Sequence, residues 1–175
     1  MEEIKISDSE FIKGKHIYSA QEKLEWFDNG EWVNELDEII FTYKGYTCEV
    51  KRICMREPSV IDLPMFGGYL CGYVHILKED IAYEMDYNDL SIDCHCGLTF
   101  SDKNPEINTW MIGFDCAHSR DLVPSLEKIL KCIINRKELN RSLEEKYPFL
   151  KKTYKNLSFV IEECKSIVDQ LIEMN

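Results

Sequence analysis

The sequence predicts an α+β domain, a mostly antiparallel sheet of about five strands packed by a long C-terminal helix and shorter helices. Three observations carry this. Between residues 37 and 116, short stretches alternate apolar and polar residues with period two and are separated by turn residues, as half-buried strands do. Beyond Val123 the period becomes the three-and-four spacing of a helix. The 175 residues, 45% of them hydrophobic and 30% charged, suit a single globular domain with its own core. That domain reads as an N-terminal extension (1–36), a sheet core (37–122) and a helical part (123–175).

Residues 1–18 lack periodicity and fit an edge strand or a loose arm. Ser19 to Phe27 holds helix formers, with Leu24 and Phe27 as a short apolar stripe and Asn29-Gly30 as its stop. Trp26 and Trp32 flank that turn, as core anchors or as a stacking platform. Glu38–Tyr43 and Tyr46–Cys54 read as a hairpin around Lys44-Gly45, with Tyr46, Cys48, Val50 and Arg52 on one face. Residues 55–68, with two prolines and a Gly-Gly pair, read as a loop. Tyr69–Leu77 is a strand whose central Gly72 marks a bulge or a close approach, and His75 in it reads as a structural histidine with satisfied partners. Leu90–Phe100 and Thr109–Cys116 read as the last two strands. Pro124 suits a first helical turn, and Leu126, Ile129, Leu130 and Ile133 follow it as a stripe. A helical patch at 138–146 stops before Tyr147-Pro148. In the last segment Leu157, Val160, Ile161, Cys164, Ile167, Val168, Leu171 and Ile172 form one apolar face, for the core or for a homo-oligomer contact.

A net charge of −11 argues against duplex nucleic acid or an anionic membrane as partner, since both require a basic face. A small anion needs only local donors, for which Lys51, Arg52, Arg56 and Arg120 are candidates. The N-terminal residues do not resemble a signal peptide, and no apolar run approaches a membrane span, so the expected location is the cytoplasm. In that reducing setting the eight cysteines are expected as buried free thiols.

The chemistry concentrates in Leu90–Asp121, which holds two of the four histidines. Cys94-x-Cys96 and Cys116-x-His118 invite a zinc reading. The gaps are shorter than usual, however, and strand alternation sets His95 opposite Cys94 and Cys96, so no metal is assigned. An enzyme would use His95 and His118 as acid and base, with Asp93 or Asp115 orienting an imidazole. Neither histidine has the His-x-Ser/Thr pattern of two-histidine phosphoesterases, so no catalytic residue is assigned beyond the conditional set His95, His118 and Asp115. A binding site asks less: His95, Gly97, Thr99, Asp115 and His118, joined by Arg52 and Arg120, provide directed polar contacts and phosphate donors. Glycines 67, 68, 72, 97 and 113 would permit close backbone approach, and Tyr69, Tyr73, Trp110 or Trp32 would stack on a base. A bland alternative is an internal hydrogen-bond network that fixes the sheet.

The ordered segments GYTCEVKR, YLCGYV, YNDLSIDCHCGLTF, WMIGFDCAHSRD and TYKNLSFVIEECKSIVDQL resemble a widespread family of small proteins encoded by phages and prophages. The resemblance covers about residues 40–122 and 153–172. Its motif positions here are His95, Gly97, Leu98, Thr99, Gly113, Phe114, Asp115, Cys116, Ala117 and His118. Cys96 stands where a glycine is usual, and Cys94 where an aliphatic residue is usual. The resemblance implies a phage context and the host cytoplasm and, by analogy with small phage proteins that sequester or cleave nucleotide immune signals, an anti-defence role. The expectation is a protein that binds a nucleotide-type ligand without turning it over and needs no cofactor. A phosphodiesterase-like hydrolase and a protein-interaction module are the alternatives.

Overall fold

Lys44 and Gly45 both adopt left-handed backbone, at φ 47° and 89°, which is the geometry a two-residue hairpin loop requires. They join β3 (Glu38–Tyr43) to β4 (Tyr46–Met55), with Phe41 opposite Cys48 and Ile39 opposite Val50. The computed structural model describes residues 2–7, 10–55, 66–104, 107–133 and 151–175. The loop prolines of 55–68, Arg56 and the helical patch at 138–146 lie outside the described residues.

The hairpin is the middle of one antiparallel sheet. Ahead of it stand β1 (Glu2–Ser7) and β2 (Glu10–Lys15); behind it come β5 (Phe66–Ile76), β6 (Phe100–Lys103) and β7 (Trp110–Asp115). The order is β1-β2-β3-β4-β5-β7-β6, so seven strands replace the expected five or so. The two additions come from the aperiodic N-terminal stretch, which pairs through its backbone: Gly14 lies opposite Ile39 and Lys15 opposite Glu38.

One segment departs from expectation. Residues 90–99 are not a strand; only Phe100–Lys103 pairs with β7. The alternation itself is present, since Ile92 is buried between exposed Ser91 and Asp93. The backbone partners are different, however. Asp93 N–H donates to the Gln170 side chain at 2.7 Å, Gln170 Nε2 donates to Asp93 O at 2.7 Å, and His95 N–H donates to Glu163 at 2.7 Å. Side chains of the last helix thus satisfy this backbone in place of a neighbouring strand.

That helix, α3 (Leu157–Met174), begins at Asn156, whose side chain accepts from Phe159 N–H. Its Val160, Cys164, Ile167, Val168 and Leu171 are buried against the face formed by Ile39, Phe41, Cys48, Val50, Leu70, Val74, Ile112 and Phe114. Of the eight stripe residues only Ile172 is exposed, so the apolar face packs the core. Gly72 marks a close approach here. A Cβ built on it would stand 2.5 Å from the Phe114 ring and 2.7 Å from Cys164 Sγ. Among the described residues no helix is long and apolar enough to cross a membrane.

The shorter helices are α1 (Ala20–Phe27) and α2 (Pro124–Ile133). A capping box between Ser19 and Glu22 starts α1, and Asp28, at φ 65°, ends it. Phe27 is buried as expected but Leu24 is exposed; the second inward residue is Lys23, fully buried. Its ammonium lies 2.8 Å from Asp37 Oδ1 and donates to Glu35 O at 2.6 Å. Asp37 also accepts from Arg52 Nε at 2.8 Å and from the backbone N–H groups of Ile17 and Tyr18 at 2.9 and 3.0 Å. Burial alone would raise the Asp37 carboxyl, but the bonds from Lys23, Tyr18 and Arg52 outweigh it and hold the group below its ordinary value. Trp32 is a core anchor, edge-on to Tyr154, with its indole N–H on Asp28 O at 3.1 Å.

Two stability predictions follow from this packing. Gly72→Ala forces a methyl between Phe114 and Cys164 and is expected to lower stability by about 1–3 kcal/mol in urea unfolding; an unchanged midpoint would mean that α3 does not sit this close to β5. Asp37→Ala leaves Lys23 and Arg52 buried without their shared carboxylate, and an expected loss of about 3–5 kcal/mol follows. A loss under about 1 kcal/mol, the value of a solvated pair, would contradict that burial.

Candidate functional site

Two histidines meet at one end of the sheet, where β7 ends and α3 begins. His118 lies in the turn after β7, and His95 in the irregular segment that α3 holds. Their rings are 5.6 Å apart and edge-on, and His95 is also edge-on to Phe159 of α3 at 5.4 Å. The residue that joins them is Asp121, whose side chain is 1% exposed. Its carboxylate lies 2.9 and 3.0 Å from His95 Nε2 and accepts His118 N–H at 3.0 Å. His118 Nδ1 is 3.5 Å from Asp121 Oδ2 and 3.6 Å from Asp115 Oδ1, yet it makes no hydrogen bond although the atom is buried.

The local folding explains this placement. Asp121 N–H donates to His118 O at 2.9 Å, which closes the turn that carries both side chains. On the other side Leu122 N–H donates to Thr153 O and Thr153 N–H to Arg120 O, a short parallel bridge that fixes Asp121 from the segment leading into α3. His95 sits at a tight bend with Cys96 at φ 57° and Gly97 at φ 87°, where Gly97 N–H donates to Cys94 O. Left-handed backbone favours glycine, and here a cysteine also takes it.

The sequence-predicted residues divide clearly. His95, His118 and Asp115 are brought together, with Gly97 two residues after His95. Gly97 is the one interior-loop glycine of the expected set with open space where a Cβ would be; Gly67, Gly68, Gly72 and Gly113 are each closed by the protein's own atoms. Thr99 is exposed and donates its N–H to Gly113 O. Arg120 is exposed beside Asp121. Arg52 is corrected: it is buried, and its five N–H donors go to Asp37, Gly68 O, the Tyr154 hydroxyl, Glu35 and Leu36 O at 2.8–3.4 Å, so none remains for a ligand. The orienting acid is neither Asp93, which is exposed, nor principally Asp115, whose Oδ1 accepts Ala117 N–H at 2.9 Å. Trp32 is buried, and Trp110 is half-buried, packed against the core with its indole N–H on Met85 O at 3.2 Å.

Sequence reasoning missed Asp121, Phe159 and the part played by Cys96. The spacing of His118 and Asp121, three residues apart in a turn-rich stretch, was the available signal for Asp121. For Cys96 the reading failed through the strand assignment. Without strand alternation Cys96 is not turned away from His95: its Sγ lies 3.9 Å from His95 Nε2. Cys116 is 2% exposed and its thiol is pushed up by burial first and by the nearby Asp121 second, which makes it a packing residue. Burial likewise raises the Cys94 thiol to about 12. Lys155 adds a positive charge beside the site, 5.0 Å over the Phe159 ring.

A second histidine–acid group lies within the sheet. His75 Nε2 is 2.8 Å from Glu49 Oε1 and Nδ1 is 2.8 Å from Thr109 Oγ1, so both ring nitrogens are partnered, as expected of a structural histidine. Lys51 stands against the other Glu49 oxygen, without hydrogen-bond geometry.

No protein-family model matches the sequence, and no curated protein or solved structure matches it.

The His75 hydrogen bond, foremost, lowers the Glu49 carboxyl from 4.5 to about 2 against the opposing effect of burial, with Lys51 assisting. A carboxyl depressed in the folded state stabilises above its unfolded value, and that contribution fades as pH falls through the folded value. The urea midpoint is therefore expected to fall between about pH 4.5 and pH 2, and the fall should be shallower in Glu49→Gln. Parallel pH profiles for the two proteins would show that Glu49 does not carry this effect.

Proposed function

We propose that this chain is a binding protein for a small, anionic, nucleotide-type molecule, captured at the His95–Asp121–His118 cluster. The observation that carries the reading is that one buried carboxylate holds the His95 imidazole and the His118 backbone N–H, which sets the two rings side by side, while the side chains of His95 and His118 remain 14% and 28% exposed. Rings held in this way are directed donors and acceptors that a ligand meets without an ordering cost. Arg120 and Lys155 supply local positive charge on a chain of net charge −11, and Gly97 leaves room for a ligand to approach. The setting the phage resemblance implies, the cytoplasm of an infected host, makes an immune signal of cyclic-nucleotide type the ligand to try first.

A hydrolase is the second reading, favoured by one feature. A histidine hydrogen-bonded to a buried aspartate is the arrangement of a general base with its orienting partner. In that case His95 would take or give the proton, and His118 would face the same phosphodiester.

Heat release separates the two. The protein is incubated with candidate cyclic mono- and dinucleotides, freed ligand is measured, and the sample is then heated and measured again. Capture predicts depletion followed by recovery of the intact compound, and loss of depletion in His95→Ala and His118→Ala. A changed product moves the assignment to hydrolysis. No depletion of any candidate by the wild-type chain overturns both and leaves the protein-interaction module.

A further inference from the structure

We propose that His95, Cys96 and His118 form a binding site for a transition-metal ion of zinc type, with Asp121 beside it. One ligand atom from each of these three residues lies within 4.8 Å of the other two. Two imidazoles and a thiol are the donor chemistry zinc and cobalt prefer over calcium or magnesium, which take oxygen. Bonds of about 2.0–2.3 Å to such donors place the ligand atoms of a tetrahedral ion about 3.3–3.6 Å apart. His95 Nε2 and Cys96 Sγ are 3.9 Å apart, close to that edge length, and the ion takes the place of the proton that this nitrogen shares with Asp121. Cys96 is exposed, so rotation of its side chain closes the remaining gap without disturbing packing.

A second observation points independently to a ligand. His118 Nδ1 is buried yet makes no hydrogen bond, although the Asp121 carboxylate lies 3.5 Å away. An orphaned ring nitrogen is costly in a protein that offers it nothing. A cation between the rings satisfies it, and the negative charge of Asp121, with Asp115 3.6 Å from the same nitrogen, favours that cation further. Three protein ligands leave a position open in a four-coordinate ion, as in zinc sites that bind an exchangeable group. The Cys96 thiol enters as thiolate and releases its proton to solvent when the metal binds.

This site shares His95 and His118 with the proposed nucleotide cluster but does not rest on that reading, and its test contains no nucleotide. Chelator-treated protein is titrated with Co²⁺ alone and followed by absorption. The expected result is one equivalent per chain, with thiolate-to-cobalt charge transfer in the near ultraviolet and the intense visible bands of a tetrahedral ion, displaced by one equivalent of Zn²⁺. Cys96→Ser should remove the charge-transfer band with its fold intact, since the residue is exposed. His118→Gln should weaken binding by more than about tenfold, the least that ligand loss costs where even supporting partners cost that much. Absence of stoichiometric uptake by the wild-type chain overturns the site. So does a thiolate band that survives in Cys96→Ser, since the metal would then sit on other cysteines.

Discussion

The Asp37 carboxylate is the point on which the rest of the molecule depends. It receives two buried cations, Lys23 from α1 and Arg52 from β4, and two backbone N–H groups from the chain between β2 and α1. Isolated charges could not be buried at this depth; each would cost several kcal/mol. Taken together they are mutually satisfied, and Arg52 in particular uses every donor it has. The arrangement binds parts of the chain that no apolar pattern would bring together. It holds α1 against the sheet through a lysine rather than through the apolar stripe that Leu24 would have supplied.

The same network reaches the candidate site. Arg52 donates to the Tyr154 hydroxyl, and that hydroxyl donates to Glu35 Oε2 at 2.6 Å, while the other Glu35 oxygen accepts Leu157 N–H at 3.1 Å. The segment just before α3 is thereby fixed at both its hydroxyl and its helical start. Thr153, the neighbour of Tyr154, makes the backbone bridge to Arg120 and Leu122 that flanks Asp121. Asp121 in turn holds His95. A buried ion network on one side of the fold and a histidine pair on the other therefore share the residues 153–157 as a common support. The ion network around Asp37 thereby helps to set the geometry around Asp121 and His95.

What the sequence made legible is what local forces decide. The Lys44-Gly45 turn, the strand Trp110–Asp115, the start of α2 at Pro124 and the face of α3 each rest on contacts or dihedrals within a few residues. The segment 90–99 does not. Its alternation records burial of Ile92 on one side, but a strand also needs a hydrogen-bonding neighbour, and here the neighbours are Glu163 and Gln170, about seventy residues away. Arg52 was misread for a related reason. Its place on an apolar face was correctly derived, but whether an arginine on such a face meets a ligand or an internal acid depends on Glu35, Asp37 and Tyr154, which sequence spacing does not bring near. The error at 90–99 then spread, because the supposed strand was the ground for separating Cys96 from His95.

The two histidine–acid groups differ in how fully their ring nitrogens are satisfied. His75 has an acceptor on one nitrogen and a hydroxyl on the other, and the ring is 5% exposed. Every polar atom of that imidazole is accounted for, and nothing remains to be recognised. His118 has the same ring and two carboxylates nearby, at 3.5 and 3.6 Å, but its buried Nδ1 bonds neither, and the side chain is 28% exposed. Asp121 Oδ2 meets both His95 Nε2 and the His118 backbone N–H, and neither of its oxygens bonds the His118 ring. The turn geometry thus withholds a partner from Nδ1 while keeping it buried, and a polar atom kept in that condition marks the place where a further group completes the cluster.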